Sequence, residues 1–580
     1  MNKFEKIACF LLGAALMWYL FIESPRKAQE KREAEGAAPA VQVEEKKENA
    51  PQPEVAKEAA KKVEVAEEKR VKPSAPEKIL FLENDEVKLE LSSWGGVVKK
   101  AIMKKYARDL GEINENNPAV TFDFASSPLG AIEGVKGAAI DSAFDVISSS
   151  SNTVVFANGV VKRTVTLDAG YLVSYADEFE EGAPKASSVS LGVMAMGNSK
   201  NDLLSVDSLQ LTKADGEVIH HGDDDTSLTP YLVGGLAGGC SGSKSAAGMP
   251  QSIETEVKLP QKWIAVKNRF FVSALASSEA PISGFSAVVT RDLTSADYKP
   301  SSVAVKADLS GAAASRVVKF YVGPKKQSLL WDLGMKDVME FGMWRWICYP
   351  IVWVLNFFNG LIPNFGVAII LLTILVRLIF WPLTHKSTVG MKKMQELQPK
   401  MKALQAKFKD NPQRLQQETW ALYREEKVNP LSSCLPMLVQ IPVFIALFNV
   451  LRSAVELRYA PFLWIGDLSE PEGLFAAYLP FGGLNLLPIL MALTTALQSA
   501  FTPSSGDKNQ QKMMMVIMPV MMLVMFYSFP SALSLYWFLS NVFSIVQMWL
   551  IRRKTAKEQA VVVPVEVIDP PQTRQMRRHG

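Results

Sequence analysis

The spacing of hydrophobic positions divides the chain into blocks that predict different elements. The first apolar run, Ile7–Ile22, is short, but Lys6 and Glu23 extend it because their long stems reach past the hydrocarbon edge. It ends in Trp18, Tyr19 and Phe21, then Glu23-Ser24-Pro25, with no small-residue cleavage site. That ending predicts an uncleaved transmembrane anchor over residues 1–23 and argues against a removed signal peptide. Residues 24–77 are dominated by Ala, Glu, Lys, Pro and Val and contain no aromatic residue. Such a segment buries too little apolar surface to offset its ordering entropy, so a disordered tether is expected.

From residue 78 to residue 325 the period becomes two. Val87, Leu89 and Leu91 alternate with Glu86, Lys88 and Glu90, and Val318, Phe320 and Val322 close a similar run. Short alternating runs separated by Gly, Asn, Asp and Ser clusters predict half-buried antiparallel strands and a large all-β, sandwich-like domain. Residues 326–363 follow, with Trp344, Trp346, Tyr349, Trp353, Phe357 and Phe358 interspersed with Arg345, Asn356, Asn359 and Gly360. This mixture predicts amphipathic interfacial helices, not a crossing. Long apolar runs at 365–383, 435–452, 486–502, 513–529 and 533–550 then predict a transmembrane core over residues 364–552.

Within that core, residues 384–433 read as a helical hairpin. Met391, Met394, Leu397, Met401, Leu404 and Phe408 recur at three- and four-residue steps. Asp410-Asn411-Pro412 supplies a turn, a cap and a first-turn proline for a second helix through Leu415, Leu422 and Tyr423. Pro399 falls inside the first helix and is expected to kink or divide it.

Charge sets the orientation. The hairpin carries ten Lys/Arg, the next loop only Arg452 and Arg458, and the basic tail at 553–580, counted from Arg552, seven. The positive-inside rule puts the hairpin and both termini in the cytoplasm and the β domain outside. A further crossing at 344–363 would reverse that parity.

Whole-chain averages conceal this segregation. The 580 residues are 48% hydrophobic and 21% charged with a net charge of +4. Sixty-three basic residues against 59 acidic give no support for DNA binding. Cys9, Cys240, Cys348 and Cys434 stand far apart and form neither a redox pair nor a zinc site. Gly238–Ser245 resembles a phosphate loop, but Ser243 stands where the second glycine is needed. The His220–Asp225 cluster reads as a solvated polar loop, and four histidines support no histidine-based catalysis. No metal, cofactor or enzymatic step is expected.

Arg377 is the residue that demands an explanation. It lies in an apolar run about 10 Å inside the cytoplasmic end of its span. An intramembrane arginine costs several kcal/mol and marks function unless it snorkels. None of the other spans contains Asp or Glu, so neutral polar groups around a water-filled cavity are the expected compensation. Thr373, Gln440, Thr494, Thr495, Gln498, Trp537, Ser540, Asn541 and Gln547 are available for that lining, or for ordinary interhelical hydrogen bonds. The methionine-rich span from Met513 to Met525 offers a surface that adapts to varied apolar partners, or simple packing.

The runs Met391–Lys400, Tyr423–Pro430, Cys434-Leu435-Pro436 and Gln440–Phe444 resemble the YidC membrane protein insertase family. Phe529–Leu533, Tyr536-Trp537, Ser540-Asn541 and Tyr321–Lys325 fit it too. Trp94 before Gly95-Gly96 and Ser432-Ser433 before Cys434 depart from its pattern. With its large outer domain and first anchor, the chain is similar to the Gram-negative, inner-membrane form. The resemblance implies a periplasmic β-supersandwich and a five-helix core enclosing a hydrophilic groove. It matches Arg377 to the family arginine and, less directly, Thr373, Gln498 and Trp537 to groove positions. It also implies nascent membrane proteins as clients, with the ribosome, membrane lipids and the Sec translocon as partners. From the residues, Gln440 joins the expected groove, and Met391, Met394, Pro399 and Tyr423 mark the expected hairpin. The reading from another class is a secondary transporter that binds an anionic solute at Arg377. It lacks an intramembrane carboxylate for proton coupling and any evident inverted repeat. A purely structural envelope protein would not need the additional spans.

Overall fold

A computed structural model describes residues 75–561 apart from 109, 111–112, 114–116, 136, 181–183, 185, 196–204, 212–216, 221–251, 292–299, 312, 340, 410, 427, 429–434, 476–482 and 502–507. The anchor expected over residues 1–23, the tether up to residue 74, the 221–225 cluster, the 238–245 loop and the tail after residue 561 fall outside the described residues.

Alternating side chains sort the β domain into two antiparallel sheets. The smaller follows chain order through β1 (Ile79–Glu83), β2 (Val87–Ser92), β3 (Val97–Met103) and β4 (Val120–Asp123). The larger begins with β5 (Ile132–Glu133), β6 (Asp145–Ser149), β7 (Thr153–Ala157), β8 (Val161–Leu167) and β9 (Leu172–Phe179). It continues through β10 (Ala186–Ala195), β11 (Ser205–Gln210), β12 (Glu217–His220), β13 (Ser252–Val257) and β14 (Gln261–Lys267). The last strands are β15 (Phe271–Ser278), β16 (Ile282–Arg291), β17 (Pro300–Ser310) and β18 (Ser315–Pro324). Its main path runs β5-β10-β17-β16-β14-β15-β18-β9-β8-β7-β6, with β11, β12 and β13 paired off that path.

The pattern of β8 and β9 shows why the sheets hold together. Val161, Val165 and Leu167 point inward with Val173, Tyr175 and Phe179, as a period of two requires. Arg163 and Asp177 occupy the same inward row and face each other in register; Arg316 of β18 faces Asp177 from the other side. Arg163 holds both carboxylate oxygens, at 2.7 and 3.1 Å, and Arg316 adds a contact at 3.3 Å. The second amino group of Arg163 donates to the Gly95 and Gly130 carbonyls at 3.0 and 2.9 Å, tying segments beside the smaller sheet to the larger. Burial alone would push the Asp177 carboxyl up, but Arg163 and then Arg316 outweigh it and hold it below the usual carboxylate range.

Gly130 completes this junction. Its φ is +80°, and a Cβ would stand 2.4 Å from the Tyr175 ring. The Tyr175 hydroxyl donates to the Leu129 carbonyl at 2.9 Å and accepts from the Val98 amide at 3.2 Å. Gly130→Ala therefore combines left-handed strain with a steric clash. We expect it to cost about 2–4 kcal/mol, read as a lowered urea midpoint for hydrogen-exchange protection of β9.

After β18 the chain forms α1 (Gln327–Asp332), two single 3₁₀ turns and α2 (Arg345–Leu361). Cys348, Ile351, Val352 and Leu355 give α2 a buried face that packs on the helices following it. Its open face carries Trp346, Trp353 and Phe357. That face is therefore more aromatic than a simple polar–apolar division predicts, a composition suited to a membrane–water boundary. A continuous apolar core runs from the sheets through Leu330, Met335, Val338 and Phe341 into the helices.

The remaining helices are α3 (Phe365–Glu396), α4 (Gln398–Lys407), α5 (Pro412–Glu425), α6 (Leu435–Ser453), α7 (Leu486–Phe501), α8 (Lys508–Phe526) and α9 (Ser531–Val561). Asn364 caps α3 by accepting from the Val367 amide at 3.1 Å. The α3 helix continues without a break into the first part of the hairpin, and Pro399 sits in the opening turn of α4, where its missing N–H costs nothing. Asn411 caps α5 with Pro412 at its start. Among the described residues, Phe365–Glu396 and Ser531–Ile551 are long and apolar enough to cross a membrane; Gln440–Ser453, Leu486–Phe501 and Met515–Phe526 are shorter apolar helical stretches.

Candidate functional site

Helices α3, α6 and α9 border a small open cleft. Its polar lining is Arg377 and Thr384 from α3, Gln440 from α6 and Tyr536 from α9, with Phe380 and Val443 on the apolar wall. One turn of helix, three or four residues, separates Arg377 from Phe380 and Thr384 from Phe380, so these side chains share a face of α3. The adjoining Leu378 and Ile379 are exposed on its other side.

Arg377 donates from one terminal nitrogen to the Ser540 carbonyl of α9 at 2.7 Å. That carbonyl also accepts the Ser544 hydroxyl at 2.9 Å. No carboxylate among the described residues lies within ion-pair distance of Arg377. A guanidinium has five N–H donors, so the contact to Ser540 leaves the group able to bind a further acceptor. The arrangement can receive an anionic or strongly polar group.

The other expected groove residues are distributed differently. Thr373 is fully buried and turns its hydroxyl back to the Ile369 carbonyl at 2.7 Å. Trp537 is half-buried against Phe444 and Phe526, with ring centroids 4.9 and 5.3 Å apart, in an aromatic cluster beside the cleft. Gln498 lies half-buried on α7, outside the cleft lining. Asn541 donates to the Thr495 and Thr494 hydroxyls at 2.8 and 3.3 Å, which makes that cluster an α7–α9 hydrogen-bonded contact. Tyr536 enters the lining although the sequence marked it only as part of a motif. Its position four residues before Ser540 on the same helix was the available signal.

In the hairpin, Met394, Leu397 and Val428 form a small separate core, with Tyr423 packed against it. Met391 is half-buried one turn earlier, and Pro399 is exposed. Lys400 pairs with Glu426 across the hairpin.

Comparison with known proteins assigns both halves. Residues 357–558 match the model of the 60Kd inner membrane protein family, and residues 80–354 match that of the YidC periplasmic domain. The chain is 30% identical over 526 residues to the "Membrane protein insertase YidC" of Prosthecochloris aestuarii, covering 87% of this chain and 88% of that one. The chain belongs to the YidC membrane protein insertase family. It is also 41% identical over 309 residues to the YidC of Syntrophobacter fumaroxidans, a match that spans about half of each chain (51% and 54%). A solved YidC insertase whose first transmembrane domain is resolved aligns over 83% of this chain and 94% of that one, at 20% identity and a TM-score of 0.35. The YidC family is non-enzymatic: its members act as membrane insertases and chaperones.

Proposed function

We propose that this protein inserts other proteins into the inner membrane, with no covalent chemistry and no nucleotide. The hairpin receives a hydrophobic segment of a nascent membrane protein on the cytoplasmic side. The cleft solvates the polar, often acidic, outer tail of that segment while it crosses, with Arg377 as electrostatic attractor. The apolar segment then leaves into lipid, and its burial drives the reaction. In this reading the β domain is periplasmic, both termini are cytoplasmic, and the basic exterior of the hairpin meets the ribosome or lipid headgroups. The Sec translocon acts as a partner for some clients.

The observation that carries the proposal is a guanidinium facing an open cleft with a backbone carbonyl as its contact and no described carboxylate beside it. Such a site lowers the cost of moving a polar tail through hydrocarbon, because charge and hydrogen bonds replace part of the lost water. The test is reconstitution of the full chain into liposomes with a small single-span substrate bearing an acidic outer tail. Insertion above that of empty vesicles supports the reading. No gain over empty vesicles rejects it, and uptake of a labelled small anion instead would point to transport.

A further inference from the structure

We propose that Arg269, at the turn between β14 and β15, is a positioning residue that latches the β domain to the far ends of α6 and α9 and thereby fixes the walls of the Arg377 cleft. The turn is rigid at its base. The Asn268 side chain accepts from the Phe270 and Phe271 amides at 3.1 and 2.9 Å, and the Asn268 amide donates to the Phe271 carbonyl at 3.0 Å. This holds the Arg269 side chain nearly buried, 3% exposed, against the helical part of the molecule.

The Arg269 guanidinium bonds directly to that part of the molecule. Its Nε donates to the Arg452 carbonyl at 2.7 Å, one terminal nitrogen to the Ser469 carbonyl at 2.6 Å, and the other to the Glu470 carboxylate at 3.1 Å. Arg452 lies in the last turn of α6, where helix carbonyls lack intrahelical partners and a cation is favoured. The Ser469–Glu470 segment also receives α9. The Glu470 carbonyl accepts the Ser531 amide and hydroxyl at 2.9 and 2.7 Å, and the Leu468 carbonyl accepts the Ala532 amide at 2.9 Å. Three planar N–H groups thus join one strand turn to one helix end and to the segment that caps another.

The same two helices carry the cleft. Gln440 and Val443 of α6 and Tyr536 and Ser540 of α9 form its walls or hold Arg377. Ser531 stands about 14 Å along α9 from Ser540, and Arg452 about 18 Å along α6 from Gln440. A hydrogen-bonded helix transmits an angular displacement at its end along its length, without interruption from Ser531 to Ser540 of α9 and, in α6, from Arg452 as far as Val443, just short of Pro442. Arg458 separately holds Glu470 at 2.9 Å and Asp467 at 3.2 Å and stacks on the Phe270 ring at 5.3 Å, so loss of Arg269 leaves the capping segment folded while removing its direct hydrogen bonds to the Arg269 turn. A lysine reaches Glu470 but cannot donate simultaneously to two carbonyls through a planar fork, so it is an incomplete substitute.

The inference concerns the cleft of the proposed insertase, and its test separates the two ideas. Full-length wild type, Arg269→Ala, Arg269→Lys and Glu470→Gln are reconstituted in lipid nanodiscs and followed by hydrogen exchange. The latch requires exchange at Ser531–Tyr536 and in the last turn of α6 to rise about tenfold in Arg269→Ala and Glu470→Gln, and less in Arg269→Lys, with β8 and β9 still protected. This readout stands even if the protein inserts nothing. In liposomes, where wild type inserts, Arg269→Ala is expected to insert the acid-tailed substrate about threefold more slowly. Unchanged exchange at both helix ends, loss of protection confined to the β domain, or wild-type insertion by Arg269→Ala would each overturn the assignment.

Discussion

Arg377→Ala is expected to slow insertion of a single-span substrate with an acidic outer tail by about tenfold or more, and to slow a neutral-tailed substrate much less. Burying a charged group near the bilayer centre costs about 2.5–3.5 kcal/mol by insertion scales, so a fixed countercharge that offsets even half of this changes the rate by that factor. The Arg377 side chain is held to the Ser540 carbonyl of α9 at 2.7 Å. Arg377→Lys keeps the charge as a compact ammonium without the planar fork, and we expect an intermediate rate. The assay compares initial rates for the two substrates in the same vesicles. Equal slowing of both would remove the electrostatic role and leave Arg377 as a structural tie between α3 and α9.

Asp177→Asn is expected to give the largest loss of stability in the β domain, about 3–5 kcal/mol. The substitution keeps the size of the side chain but leaves the buried Arg163 and Arg316 without their countercharge. Hydrogen exchange of β8, β9 and β18 in the full chain under increasing urea measures the loss strand by strand. The same group determines the response to acid. Because the folded Asp177 carboxyl lies below its unfolded value, its contribution is complete well above about pH 4 and disappears as pH falls through the folded value. The wild-type urea midpoint should therefore be flat from neutrality to about pH 5 and fall in stronger acid, whereas the Asn variant should lack this component of the fall. An Asn variant as stable as wild type at neutral pH would show that the triad adds no net stability.

Strands and helices were legible in the sequence because burial follows their periods, and the family was legible in the 384–445 block. The Arg163–Asp177–Arg316 triad was not. Two arginines and an aspartate on inward rows look like interruptions of the pattern until the register brings them opposite one another. Arg269 was hidden for a related reason: its partners lie about 200 positions away in the chain. In the cleft, Arg377 and Gln440 could be singled out because each is polar within an apolar helix, and the geometry brings both to the lining with Tyr536. The sequence could not assign faces to Thr373, Gln498 and Trp537, because a helix that is apolar all round gives no moment from which to read its neighbours.

The uninterrupted course of α3 has a mechanical consequence. One helix carries Arg377, then Pro382, then Met391 and Met394 of the hairpin. Its 32 residues extend about 48 Å, more than the hydrocarbon thickness, so in the proposed orientation its hairpin end would reach beyond the apolar layer. Pro382 removes one backbone hydrogen bond five positions from Arg377 and makes that point the compliant joint. Torque applied when a large body grips the hairpin would thus turn the guanidinium relative to Ser540.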